Sequence, residues 1–400
     1  MKILVLTPTF PSPTWGAGTR NYYLLKMLAR RHTVTLLSLV DGEEDAEKLA
    51  LVQDVLASVR CVRRPASRSK RVRQLTHLAR LQPYALAVNE YDEVQRALDE
   101  MLAEDDYDAV LFESVLISRY RLPATVRRII DQHNVEYEVS WRTYRNEGAG
   151  WRKWYNWCES RLLKPAELAL CRRADLVLTT SVPDQLTLRR QVPGARIEVV
   201  PNGVDLATFQ RASGECIPDR IVFTGAMNYY PNIDAVLAFA NQCWPRIREQ
   251  IPTATWAIVG REPSAEVRKL GELPGVLVTG GVADVRPYLE SAAVALAPLQ
   301  VGGGTRLKIL EAFAMGKAVV SSSIGCEGLE VVSGEHLLVE DQPEAFARAV
   351  VQLLRDEDMR NRLGHAGRAL VEEKYSWESC GHQLLRALET HIPERTQLCL

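Results

Sequence analysis

Short apolar runs rich in β-branched residues alternate with longer amphipathic stretches along this 400-residue chain, and the series occurs twice. The first series is Ile3–Thr7, Thr33–Val40, Asp108–Phe112, Arg128–Asp131, Leu176–Thr180 and Arg196–Val200. Such runs read as parallel strands covered on both faces by crossover helices. Leu24, Leu25 and Leu28 fall at helical spacing between the first two runs, so 18–31 is predicted as the helix of the first βαβ unit. The turn tripeptide Pro201-Asn202-Gly203 stops this series. A second follows at Arg220–Thr224, Thr255–Val259, Val276–Thr279, Ala293–Ala297, Ala318–Ser321 and Leu337–Val339. The expectation is an α/β chain of two Rossmann-like, doubly wound parallel-sheet domains, 1–200 and 201–376, facing a central cleft where small ligands bind. Helices are predicted at 343–355, 357–374 and 377–390. No strand follows them, so this helical C-terminal extension, with 377–392, is expected to rejoin the first domain.

Charge narrows the partners. Lys and Arg number 49 against 50 Asp and Glu, a net charge of −1, which argues against nucleic acid. The halves differ: residues 1–200 hold 30 basic and 25 acidic side chains, residues 201–400 hold 19 and 25. The eight cysteines include no C-x-x-C pair and read as reduced thiols. The opening apolar run ends at Pro8, too short for a signal-peptide core, and no stretch reaches the ~18 apolar residues of a spanning helix. A cytoplasmic protein is expected. Two segments combine basic and aromatic character or dense positive charge: 60–73, with seven Arg and Lys, and 151–164, where Trp151, Trp154, Tyr155 and Trp157 interleave with Arg152, Lys153, Arg161 and Lys164. They suggest peripheral contact with the anionic inner face of the cell membrane, against the blander reading of a solvated loop and a Trp-rich core helix.

The stretch that carries chemistry runs from Pro298 to Gly328. Gly302, Gly303 and Gly304 let backbone amides approach a ligand, Thr305 reads as an N-cap, and a helical run Arg306–Met315 stops at Gly316. A helix N-terminus with Arg306 and Lys308 within one turn is an anion site able to hold a diphosphate without a metal. Glu311, deeper in the helix, suits hydroxyl recognition such as a ribose. Neither a P-loop nor a G-x-G-x-x-G loop is present, which disfavours kinases and hydride-transfer enzymes. D-x-D pairs at Asp106/Asp108 and Asp356/Asp358 lie in charged, solvent-like sequence and read as structural.

The segment GGGTRLKILEAFAMGKAVV resembles the nucleotide-sugar signature of family 4 (group 1) retaining glycosyltransferases with the GT-B fold. PNGVD at 201–205, FTGAMNYYPN at 223–232 and VTGGVADV at 278–285 match further landmarks in the same order. The closest pattern is that of sugar transferases associated with exopolysaccharide and exosortase gene clusters. The resemblance implies metal-independent transfer from a nucleoside-diphosphate sugar to a glycan or lipid-linked acceptor, with no cofactor. It places Glu311 on the ribose, Arg306 and Lys308 on the diphosphate, and the 280–284 turn, with Gly281 and Val282, beside the base. It makes Pro11–Thr19, with Gly16 and Gly18, a loop approaching the donor phosphates, and His133 the active-site histidine that touches the donor sugar.

Two departures accompany it. The first Glu of the family's E-x7-E element is replaced by Gly303, and the Arg/Lys pair after the first strand of the second domain is absent, Gly225 being followed by Ala226, Met227 and Asn228. Amides of Gly303 or Gly304, and the charges of Arg306 and Lys308, are the expected substitutes. A nucleotide-sugar 2-epimerase of the same fold and a catalytically weakened nucleotide-binding scaffold are the competing readings.

Overall fold

The computed structural model describes residues 1–13, 17–42, 44–65, 70–146, 148, 150–210, 216–301 and 306–392. The chain divides into two compact units, Met1–Pro201 joined by the chain from Cys380 on, and Asn202–Ser379.

The first unit contains strands β1 (Lys2–Thr7), β2 (Thr33–Val40), β3 (Ser58–Arg63), β4 (Ala109–Phe112), β5 (Arg127–Gln132), β6 (Leu176–Thr179) and β7 (Ile197–Val199). They form one parallel sheet in the order β3-β2-β1-β4-β5-β6-β7. Every residue of the central strands β4 and β6 is buried, as a sheet covered on both faces requires. Apolar clusters on its faces include Leu4, Leu6, Val110 and Phe112 in one case, and Ile130, Leu163, Val177 and Leu188 in another.

β3 was not expected. It occupies the basic stretch read as an interface, where its edge position explains its half-exposed pattern and charged composition. Two arginines there are engaged: Arg60 pairs with Glu100, and Arg64 Nε lies 2.7 Å from Asp41 Oδ1. Residues 66–69 of that stretch lie outside the described residues.

The second unit contains β8 (Ile217–Thr224), β9 (Thr255–Val259), β10 (Val276–Gly280), β11 (Ala292–Ala297), β12 (Ala318–Ser321) and β13 (Leu338–Val339). Their order is β10-β9-β8-β11-β12-β13, again parallel. Phe239, Trp256 and Phe346 anchor one core, with ring centroids 4.8 Å and 5.9 Å from Phe239 to the other two. Two glycines bring the Glu357–Leu370 helix against the Leu307–Ala314 helix: a Cβ at Gly364 would fall 2.1 Å from the Gly316 carbonyl, and one at Gly367 2.5 Å from the Phe313 ring.

In each sheet the strand order reverses once, between β1 and β4 and between β8 and β11. The crevice beyond the carboxyl ends of strands at such a reversal is where open α/β sheets bind ligands. Both clusters of polar side chains described next lie there.

Candidate active site

In the first unit, buried and partly buried residues beyond β1, β4 and β5 form a charged chain. Arg20 sits in the helix Ala17–Ala29 that follows β1. Its guanidinium meets Asp131 on β5 through two bonds, Nε to Oδ2 at 2.8 Å and Nη2 to Oδ1 at 2.7 Å, and both side chains are 2% exposed. Nη1 of Arg20 also donates to the Pro201 carbonyl at 3.1 Å. His133, just past β5, places Nε2 2.9 Å from Glu113 Oε1 and 3.7 Å from Asp131 Oδ2. Glu113 directly follows β4 and is buried.

Electrostatics fix the protonation of this chain. Burial works against a charged imidazole, but the Glu113 and Asp131 carboxylates outweigh it and push His133 up to about 10. Burial likewise opposes the Asp131 carboxylate, and the Arg20 charge wins, holding Asp131 well below the usual carboxylate range. His133 is therefore an imidazolium at neutral pH, with both ring nitrogens protonated.

The support beneath His133 is also buried. Glu167, in the Trp151–Arg173 helix, accepts from the Glu136 and Tyr137 amides at 2.9 Å each and from Gln132 Nε2, capping the Glu136–Asn146 helix that starts just after His133. Burial raises Glu167 to about 8 and Glu136 to about 6. Thr180 Oγ1 donates to the His133 carbonyl at 2.9 Å.

Of the two glycines expected in the loop after β1, Gly16 lies outside the described residues. Gly18 falls in the first helical turn, where a Cβ would meet the Ser12 amide nitrogen at 3.3 Å and the Phe10 carbonyl at 3.4 Å. Close backbone approach is thus an immediate reason for its being glycine.

In the second unit, β8 ends against Gly225, whose φ of +155° and crowding both demand glycine. A Cβ there would lie 2.8 Å from Asn232 Nδ2 and 3.1 Å from Lys308 Nζ. Lys308 Nζ donates to Asn232 Oδ1 at 2.9 Å and stands 3.6 Å from the centroid of the Phe223 ring, while Asn232 Nδ2 donates to the Ala226 carbonyl at 2.9 Å. Lys308 thus reaches the end of the first strand of the unit, where the family's Arg/Lys pair is missing. Burial and then the neighbouring Arg306 charge push Lys308 well below its ordinary value; Glu311 opposes them. Burial raises Glu311 to about 7 against the pull of Lys308. Among the described residues no carboxylate lies within ion-pair distance of Lys308.

Gly302, Gly303, Gly304 and Thr305 lie outside the described residues. The helix itself begins later than expected, at Leu307, with the buried Arg306 in the N-cap position and no side-chain cap bond. Thr305 is therefore one residue too early to be the cap, because Arg306 has the non-helical φ of −86° and ψ of 88° of a cap residue. Gly281 and Val282 follow β10 at the outer edge of the sheet. Gly281 is exposed beside Arg261, and Val282 packs against the apolar cluster containing Leu289 and Phe313.

Sequence reasoning missed Arg20, Glu113, Asn232 and Phe223 as site residues. Glu113 was signalled by its place immediately after a predicted strand, and Phe223 and Asn232 by lying at the two ends of the FTGAMNYYPN segment; nothing signalled Arg20. The D-x-D pairs are structural: Asp108 accepts from the Lys2 amide at 2.7 Å, and Asp356 caps the Glu357–Leu370 helix through the Met359 amide at 2.8 Å. Among the described residues no three His, Cys, Asp or Glu side chains are grouped to hold a metal ion.

Residues 218–356 match the family model for glycosyl transferases group 1, and residues 16–203 match that for the glycosyl transferase 4-like domain. A phosphatidyl-myo-inositol mannosyltransferase of Mycolicibacterium smegmatis is 31% identical over 202 residues, covering 48% of this chain and 51% of that protein. A glycogen synthase of Mycobacterium tuberculosis is 27% identical over 241 residues, 56% of each. The chain spans about half the length of the curated relatives it matches. Among solved structures, sucrose-phosphate synthase from Thermosynechococcus elongatus superposes with a TM-score of 0.70 at 18% identity, over 98% of this chain and 99% of that one. Anabaena HepE, in complex with UDP and glucose, gives 0.66 at 17%, over 98% and 100%. These likenesses show the GT-B fold.

Proposed function

The chain belongs to the group 1 (family 4) glycosyltransferases, and from that premise we propose that it transfers a sugar from a nucleoside-diphosphate donor to an acceptor hydroxyl, with retention at the anomeric carbon and no divalent metal. One observation carries the reading: a partly buried lysine with no counter-carboxylate among the described residues stands beside a buried arginine at a helix start, at the strand-order reversal of the second unit. A desolvated lysine charge beside a second cation is costly unless an anion completes it.

The charge that develops in sugar transfer is on the departing diphosphate. Arg306, and Lys308 once an anion beside it restores its proton affinity, oppose it with positive charge already in place at the moment of bond breaking. Glu311, partly neutral near pH 7, both donates and accepts hydrogen bonds, which suits a ribose diol. In the first unit His133 supplies a charged N–H donor suited to a hydroxyl of the donor sugar or a phosphate oxygen. Gly303 and Gly304 are assigned to the phosphates through their amides, Gly16 and Gly18 to the loop that approaches them, and Gly281 with Val282 to the edge of the base. The mannosyltransferase relative acts on a phosphatidylinositol, and HepE binds UDP and glucose. On that support a UDP-sugar donor and a lipid-linked acceptor are the first to try.

The test is a thermal-shift panel of UDP-, GDP-, dTDP- and ADP-sugars with and without EDTA, followed by acceptor-dependent release of nucleoside diphosphate. A ligand at about 100 times its Kd adds about 2.7 kcal/mol to the stability of the folded state. One nucleotide class should raise the midpoint equally with and without the chelator. A strict manganese requirement overturns the metal-free reading. Interconversion of a UDP-sugar without acceptor would reassign the chain as an epimerase, and binding without any product would leave a scaffold.

A further inference from the structure

We propose that the outward face of the Trp151–Arg173 helix docks on an anionic lipid bilayer. The helix splits its residues by face. Tyr155, Glu159, Leu163 and Glu167, spaced by four, are buried, whereas Trp151, Trp154 and Trp157, spaced by three, are 50%, 48% and 39% exposed. Three exposed tryptophans within two turns are not explained by the core, which this helix already serves with its other face.

Charge selects the partner. Arg152, Lys153, Arg161 and Lys164 lie in the same segment, and its single acid, Glu159, points inward to cap the Tyr84–Ala87 helix at the Tyr84 and Ala85 amides, 3.2 Å and 2.7 Å away. Among the described residues no carboxylate lies within ion-pair distance of Arg152, Arg161 or Lys164. The cations are held against aromatic rings, Arg161 over Trp157 at 5.7 Å, Lys164 over Tyr137 at 5.0 Å and Lys153 over Tyr144 at 5.4 Å. Amphipathic indole rings interleaved with basic groups match the headgroup layer of a membrane, where tryptophan concentrates and each Lys or Arg strengthens binding to anionic lipid. A neutral glycan would meet stacking rings here but no carboxylates to receive its hydroxyl hydrogens. None of the described helices is long and apolar enough to cross a membrane, so contact is with the surface. In the other basic stretch, 60–73, Arg60 and Arg64 are committed to acids.

The test is co-sedimentation of the full chain with vesicles of phosphatidylcholine alone or mixed with phosphatidylglycerol, alongside tryptophan quenching by brominated lipid. Binding is expected only to the anionic vesicles and should fall with salt. Arg161→Gln and Lys164→Gln should each weaken it about fivefold. Trp154→Ser/Trp157→Ser should abolish both sedimentation and quenching, with circular dichroism and sugar-nucleotide binding unchanged. Wild-type chain that ignores anionic vesicles, or variants that bind as well as wild type, would overturn the proposal. So would a concentration-dependent dimer lost in the double tryptophan variant, which would reassign the face to a second copy of this chain.

Discussion

In the first unit, Arg20, Asp131, His133 and Glu113 neutralise one another in sequence, so each buried charge faces an opposite one within 3 Å. In the second, Lys308 packs against an amide oxygen and an aromatic ring, next to a like charge, and its affinity for a proton falls accordingly. Both clusters sit at the carboxyl ends of parallel strands, yet one is closed by ion pairs, and in the other Lys308 has no carboxylate within ion-pair distance among the described residues. A complete cluster holds geometry; an incomplete one stores a preference for ligand. Deletions at the two sites should therefore fail in different ways.

The largest difference is expected from Asp131→Ala, which strands the Arg20 guanidinium in the core. Breaking a buried pair in this way costs about 3–5 kcal/mol. Denaturant unfolding should show that loss, and a loss under about 1 kcal/mol would erase the contrast. Lys308→Ala should do the reverse. Removing a partly buried cation that has no carboxylate partner among the described residues leaves the unfolding midpoint level or higher, while turnover falls about a hundred- to a thousandfold, the scale of one lost group that stabilises transition-state charge. Near-normal turnover would remove Lys308 from the chemistry.

Glu113→Gln gives the subtlest effect. His133 has a folded pKa raised from 6.5 to about 10. Its charge therefore contributes stability that is fully present below pH 6.5 and is lost as pH rises through about 10. The glutamine variant should lower the His133 titration followed by NMR and flatten stability across that window. An unchanged titration would assign the shift to Asp131 alone.

Apolar periodicity carried most of the fold. Thr33–Val40, Thr255–Val259 and Ala318–Ser321 coincide with strands residue for residue. β3 escaped because an edge strand needs no continuous apolar run, and its sequence, Ser-Val-Arg-Cys-Val-Arg, reads as a basic loop. The charged chain of the first unit escaped for another reason. Arg20 and Asp131 are 111 residues apart, and a polar residue facing inward from a helix leaves no periodic trace. Lys308 was legible because its neighbours announce a helix start, but its destination beside Gly225 was not, since only the folded sheet brings β8 and β11 together. The 151–164 segment divides by face: Tyr155, Glu159 and Leu163 turn to the core, while Trp151, Trp154 and Trp157 are exposed, so the expectation of a Trp-rich core helix does not hold for the tryptophans themselves.

The Trp377–His391 helix starts in the second unit and passes at Cys380 into the first, where a Cβ on Gly381 would fall 2.3 Å from Met27 Cγ. Arg31 then meets Glu389 at 2.8 Å, and Glu198 meets His391 at 3.0 Å. A ribosome making this chain thus releases the closing piece of the earlier unit only after the later one has emerged. The amino-terminal half waits, unfinished, through synthesis of nearly everything else, so cutting the gene at Pro201 yields a fragment missing one of its own walls.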